Sequence, residues 1–173
     1  GPVEGMVVME ELGRGIVVEP LTQALIAGAL LAGYAPKTLA AQWAPLVASG
    51  GKLVVLAYLE RASRYRLDVC ATWAVKSGDS WTLTGAKSLV TAGDKADAWI
   101  VSAQFDGKPG LFLIDSGAAG ATTRGYGTMD GGRAAELQLA DTPAQLISLD
   151  GLVALEHGID VGIAAACAEA VGV

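Results

Sequence analysis

The side chains able to do acid–base, nucleophilic or metal chemistry are few and scattered. His157 is the sole histidine, and the two cysteines, Cys70 and Cys167, form no CxxC pair. A zinc site or a Ser/Cys–His hydrolase draws on several convergent groups, so neither is expected. Both thiols read as buried residues of a cytosolic protein. Gly13-Arg14-Gly15 lacks the third glycine of a dinucleotide loop and follows a helical pattern, where such a loop follows a strand. Gly131-Gly132 does not run on into the lysine–hydroxyl pair of a phosphate loop. Both read as turns. Glu10-Glu11 and Glu156 read as solvated helix faces. Glu60, beside Arg61, reads as half of a surface ion pair worth under about 1 kcal/mol. These residues by themselves make no self-contained catalytic set.

The elements that must carry them are helical at both ends and β-rich between. Val3, Met6, Val7 and Glu10 share one helix face, and Gly13 and Gly15 stop it. Pro20 suits the first turn of a helix over 21–32. A third helix, 38–48, stacks Leu39, Trp43, Leu46 and Val47 in one apolar stripe. From Lys52 the period shortens. Strand candidates are 52–59, 69–75, 81–84, 87–91, 98–104, 110–114, 121–124 and 135–139, most of them bounded by Gly or Asp. So many short strands in about 90 residues predict an antiparallel barrel or sandwich. Beyond Leu149 the steps of three and four through Leu152, Leu155, Ile159, Ile163, Ala166 and Ala170 predict a final helix. The fold class is therefore α+β. Helical patterns run to both ends, which predicts a piece of a longer protein.

The 173 residues, 52% hydrophobic and 17% charged, suffice for a packed core. A net charge of −6 and a pI near 4.7 argue against a nucleic-acid partner, whose phosphates need a basic surface. The apolar run 161–173 is shorter than the roughly 20 residues of a membrane span, so it reads as a buried helix and no membrane partner is expected. No basic leader precedes Glu4, Glu10 and Glu11, and a cytoplasmic location is expected.

Five segments carry more in their order than singly. They are Met9-Glu10-Glu11-Leu12-Gly13-Arg14, Trp43-Ala44-Pro45-Leu46-Val47-Ala48-Ser49-Gly50, Trp81-Thr82-Leu83-Thr84-Gly85-Ala86-Lys87, Val90-Thr91-Ala92-Gly93 with Ala96-Asp97, and Gly110-Leu111-Phe112-Leu113-Ile114. In this order the chain resembles the acyl-CoA dehydrogenase family. The resemblance implies the end of an N-terminal helical domain over 1–51, a middle β-barrel over 52–148, and the start of a C-terminal helical domain from 149 to 173. It implies FAD as cofactor and an acyl-CoA substrate lying against the flavin. A glutamate takes the α-proton while hydride passes from the β-carbon to the flavin. Carried over, Tyr58 and Leu59 with Leu89, Val90 and Thr91 line the isoalloxazine, through backbone groups and the Thr91 hydroxyl. Arg64 and Tyr65 stand where the family meets the acyl-CoA. The implied partners are a second acyl-CoA dehydrogenase subunit, in a homo- or hetero-oligomer, and an electron-acceptor flavoprotein.

The chain departs from the family pattern at telling places. The family's Thr-Glu-Pro-Gly-Ala-Gly-Ser-Asp is here Leu59-Glu60-Arg61-Ala62-Ser63-Arg64-Tyr65-Arg66. Leu89 replaces the aromatic that stacks on flavin, and Ala92 replaces an asparagine. This variant is similar to the pimeloyl-CoA dehydrogenase small-subunit branch. Gly162 stands where some members place the catalytic glutamate, and Asp160 lies on another face of that helix. The resemblance thus implies a dehydrogenase chain that lacks its base and is inactive alone. Its alternative is a non-catalytic, flavin-poor partner of a heteromeric enzyme; a third possibility is an unrelated β-barrel binding module.

Overall fold

The computed structural model describes residues 2–63 and 65–173. Three helices come first: α1 (Pro2–Arg14), α2 (Leu21–Tyr34) and α3 (Lys37–Ala48). Seven strands follow: β1 (Val54–Ala57), β2 (Trp73–Ser77), β3 (Ser80–Thr91), β4 (Ala98–Phe105), β5 (Lys108–Asp115), β6 (Ala121–Gly127) and β7 (Arg133–Ser148). The last helix is α4 (Gly151–Gly172).

Strands β4, β2, β3, β7 and β5 close into a barrel, because β5 pairs back onto β4. β1 adds to β4 in parallel, and β6 adds to β7 antiparallel. The barrel expected from the sequence is present, but it is mixed rather than wholly antiparallel. The reason is parity: a closed ring of five strands cannot alternate direction throughout. The parallel seam falls between β2 and β4, at Trp73 opposite Gln104, where the Gln104 N–H donates to the Thr72 carbonyl at 2.8 Å.

β1, β4 and β5 are nearly continuous apolar runs because both of their faces are buried. Val54, Leu56, Ile100, Leu111 and Leu113 face the helices and meet Ile26, Leu30, Trp43 and Leu155. The alternate residues Val55, Trp99, Val101, Phe112 and Ile114 fill the barrel with Trp81, Leu83, Val90 and Leu137. Two strand candidates, 81–84 and 87–91, are one strand, β3, bent at Gly85. A Cβ there would strike the Cα of Thr72 at 2.6 Å. The candidate 135–139 is the first part of β7, whose second part lies beyond a kink at Asp141 with φ 49. Asp141-Thr142-Pro143 reads as a turn, which hid that continuation.

The final helix is less buried than expected. Gly151, Ala154, Leu155, Gly158 and Ala165 are its buried residues, while Ile163 and Val171 are exposed. By length and composition alone α4 is long and apolar enough to cross a membrane, a test that helices of soluble proteins also pass. It packs on α2 through Gly158 against Leu30 and Gly162 against Ile26. At its end Gly172 meets the Glu10 carbonyl of α1, and Gly13 of α1 meets the Glu169 carbonyl. A Cβ at either glycine would collide with that backbone.

A candidate flavin-binding cleft

Where β1 and β3 end, the chain leaves a cleft of about 270 Å³. Tyr58 and Leu59 follow β1, and Leu89, Val90 and Thr91 close β3; all five line the cleft. The opposite side comes from Thr22, Gln23 and Ile26 of α2 and Ile159, Gly162, Ile163 and Ala166 of α4. The Ser88 N–H donates to the Leu59 carbonyl at 2.9 Å and joins the two wall segments. Gln23 Oε1 accepts from the Leu56 N–H at 3.0 Å and ties α2 to β1. The cleft adjoins a wider one of about 860 Å³ that shares Thr22, Gln23, Leu59, Leu89 and Thr91 and adds Lys95 and Arg133.

The wall is strained and open. Leu89 has φ 52, a backbone region that leucine rarely adopts, and is 56% exposed. It lies in a bulge, where the register of β3 on β7 shifts between Lys87 and Val90. Ala92 also takes φ 52. Each such residue costs about 1–2 kcal/mol relative to glycine. Val90 packs in the barrel core and also borders the cleft. The Thr91 side chain is exposed, and its hydroxyl has no hydrogen-bond partner among the described residues.

The two residues assigned to acyl-CoA fare differently. Arg64 lies outside the described residues. Tyr65 is 93% exposed and does not line the cleft. Gly162 does line it, and its missing side chain lets Ile26 approach: a Cβ would meet Ile26 Cδ1 at 2.9 Å. Asp160 is exposed and does not line the cleft. Among the described residues no carboxylate lines this smaller cleft, although Glu19, Asp130 and Glu169 line the wider one, and no cluster of His, Cys, Asp or Glu among the described residues is arranged to hold a metal.

Behind the wall sits a polar network that the sequence reading missed. Glu60 is buried, not a surface partner of Arg61. Its Oε1 pairs with Lys87 Nζ at 2.6 Å inside the barrel. The carboxylate also accepts from the Ala71 N–H at 2.6 Å and the Thr72 hydroxyl at 2.7 Å. Lys87 Nζ donates further to Ser102 Oγ at 3.0 Å and Cys70 Sγ at 3.3 Å. Burial pushes the Glu60 carboxyl up, but the Lys87 ammonium and the hydrogen bonds outweigh it and bring it down to about 2. Burial likewise pushes the Cys70 thiol up, so it stays protonated and donates to Glu60. A signal for Lys87 was present: counting by twos from Trp81 and Leu83 puts residue 87 on the inward face.

No family model matches the chain. It is 26% identical over 140 residues to acyl-CoA dehydrogenase FadE27 of Mycobacterium tuberculosis, a match that covers 80% of this chain and 36% of that protein. It is 32% identical over 104 residues to the mitochondrial short-chain specific acyl-CoA dehydrogenase of Bos taurus, covering 58% and 25%. Among solved structures, a variant of the Tcur3481-Tcur3483 steroid ACAD superposes with a TM-score of 0.89 at 30% identity, over 99% of this chain and 46% of that one. Two others show the shared fold alone. The ChsE4-ChsE5 complex of Mycobacterium tuberculosis has a TM-score of 0.85 at 22% identity, covering 99% and 46%. A Mycobacterium smegmatis glutaryl-CoA dehydrogenase in complex with FADH2 has 0.87 at 21%, covering 96% and 46%. The chain spans less than half the length of each of these proteins. With segment order, closed barrel and near-complete superposition in agreement, the chain belongs to the acyl-CoA dehydrogenase family.

Proposed function

We propose that this protein is a flavoprotein subunit for α,β-dehydrogenation of an acyl-CoA thioester, with the isoalloxazine of FAD seated on residues 58–59 and 89–91. One observation carries the reading: two segments 30 residues apart meet in a single cleft, and they are the two that the family resemblance names. The residues present fit the group. A flat, largely apolar ring needs apolar walls and a few polar contacts at its edge. Leu59, Leu89, Ile159 and Ile163 supply the walls and exclude water. Thr91 supplies an uncommitted hydroxyl. When bound, the flavin supplies the hydride acceptor. The α-proton must go to a base that the described residues of this cleft do not provide, from another segment or another subunit. Electrons would leave to an acceptor flavoprotein.

A second reading makes this the flavin-poor partner of a catalytic homologue. Gly162 and Leu59 favour it, and the ChsE4-ChsE5 structure is itself a complex of two components. The two readings separate on purification of the intact protein with and without a candidate partner subunit. The flavin reading predicts bound FAD in this subunit when it is purified alone, and acyl-CoA-driven dye reduction only with the partner. A colourless subunit beside a flavin-loaded partner supports the second reading. Dye reduction by this chain alone would contradict the missing base.

A further inference from the structure

We infer that the buried Glu60–Lys87 pair positions the two wall segments for the flavin, an inference that rests on the flavin reading of the cleft. Lys87 is fully buried and Glu60 side-chain exposure is 5%. Such a pair loses most of its Coulombic gain to desolvation, so apolar groups of the same volume would hold a barrel as well. What the pair does supply is a single geometry. The donors of Lys87 go to Glu60, Ser102 and Cys70, with a long contact of 3.5 Å to the Tyr58 carbonyl. Glu60 collects the Ala71 and Thr72 N–H groups as well as the Thr72 hydroxyl. Polar networks satisfied in this way admit few alternatives.

Where the pair sits gives that geometry its use. Glu60 directly follows Tyr58 and Leu59. Lys87 opens the bulge that contains Leu89 and precedes Val90 and Thr91. The far end of the bulge is held by the Ala92 N–H donating to the Arg133 carbonyl at 2.8 Å. Between the wall segments themselves the backbone bond from Ser88 to Leu59 is the direct link. The pair is the second link, and it sets the spacing on which a ring bound to both segments depends. Neither Glu60 nor Lys87 lines the cleft, so both act through the residues beside them.

The test is the double variant Glu60→Gln/Lys87→Met in the intact protein. The variant is expected to stay folded, with circular dichroism and urea midpoint close to wild type. Amide exchange at residues 58–60 and 88–92 should accelerate by about tenfold, as local opening without global unfolding allows. Added FAD should bind about tenfold more weakly, the scale of one lost hydrogen bond, and its absorption band should shift. A purely structural role moves neither readout in a folded variant. Unchanged exchange and FAD affinity in the folded double variant overturn the inference. If the double variant unfolds, Ser102→Ala, which keeps both charges and removes one Lys87 partner, must move both readouts the same way by less; no change there overturns it too. If wild type takes up no FAD, the flavin reading fails, while exchange at 88–92 still decides whether the pair holds this wall.

Discussion

Residues 58–60 and 87–92 build two surfaces of opposite character. Inside the barrel, Glu60, Lys87, Ser102 and Thr72 are all matched by partners at hydrogen-bond distance. On the outside, Leu89 and Ala92 hold left-handed backbone, and Thr91 offers a hydroxyl with no partner among the described residues. The inner surface is closed chemistry and the outer one is open. Strain and unused hydrogen-bonding capacity persist where the surrounding structure over-determines them, and they concentrate where ligands bind. The contrast separates what holds this fold from what it presents.

The largest expected effect breaks the inner surface. Lys87→Met alone leaves a buried carboxylate unpaired and should cost about 3–5 kcal/mol in urea unfolding. The double variant with Glu60→Gln should recover most of that loss. A double variant as unstable as the single one would mean that the pair is itself a stability element.

Acid should expose the same pair. The folded Glu60 carboxyl sits at about 2, below its ordinary 4.5. Its contribution is therefore present above pH 4.5 and is lost as pH falls towards 2. Asp94 and Asp97 are also held down by hydrogen bonds, chiefly from Arg133 and Lys52, so the wild type alone does not isolate Glu60. The wild type should lose stability more steeply across this window than the double variant. Parallel pH profiles would contradict the assignment.

On the outer surface the effects are smaller. Ala92→Gly removes the left-handed penalty and adds unfolded-state entropy, for a net gain of up to about 1 kcal/mol in unfolding free energy. A loss of stability would show that the Ala92 methyl, buried in the barrel, matters more than its backbone. Thr91→Val should change stability by less than about 0.5 kcal/mol. It should weaken FAD binding by about 0.5–1.5 kcal/mol in a fluorescence titration. Equal FAD affinity would reduce Thr91 to an ordinary β-branched strand residue.

Much of the fold is legible in the sequence because periodicity reports burial. The stripe through Leu39, Trp43 and Val47 marks α3, and all three residues are buried. A barrel is legible in the run of short strands, but the order of strands round it and its parallel seam at Trp73 are not, since they depend on which distant strands meet. The inward set of β2 is also concealed: Ala74 faces in, while the larger Trp73 and Val75 stay exposed. The cleft residues emerge only through family resemblance, because Leu89 and Val90 look like any strand residues. Glu60 misleads, since the adjacent Arg61 offers a surface partner. Its real partner is 27 positions away, a distance that local pattern does not reach.

The most direct test of the central claim is a hydrogen-exchange footprint of FAD on the intact protein. The cleft assignment predicts slower exchange on FAD addition at residues 58–59 and 88–92 and along the facing turns of α2 and α4, with the β4–β5 hairpin unchanged. Saturable FAD binding that leaves those residues unprotected, or no binding at all, would contradict it.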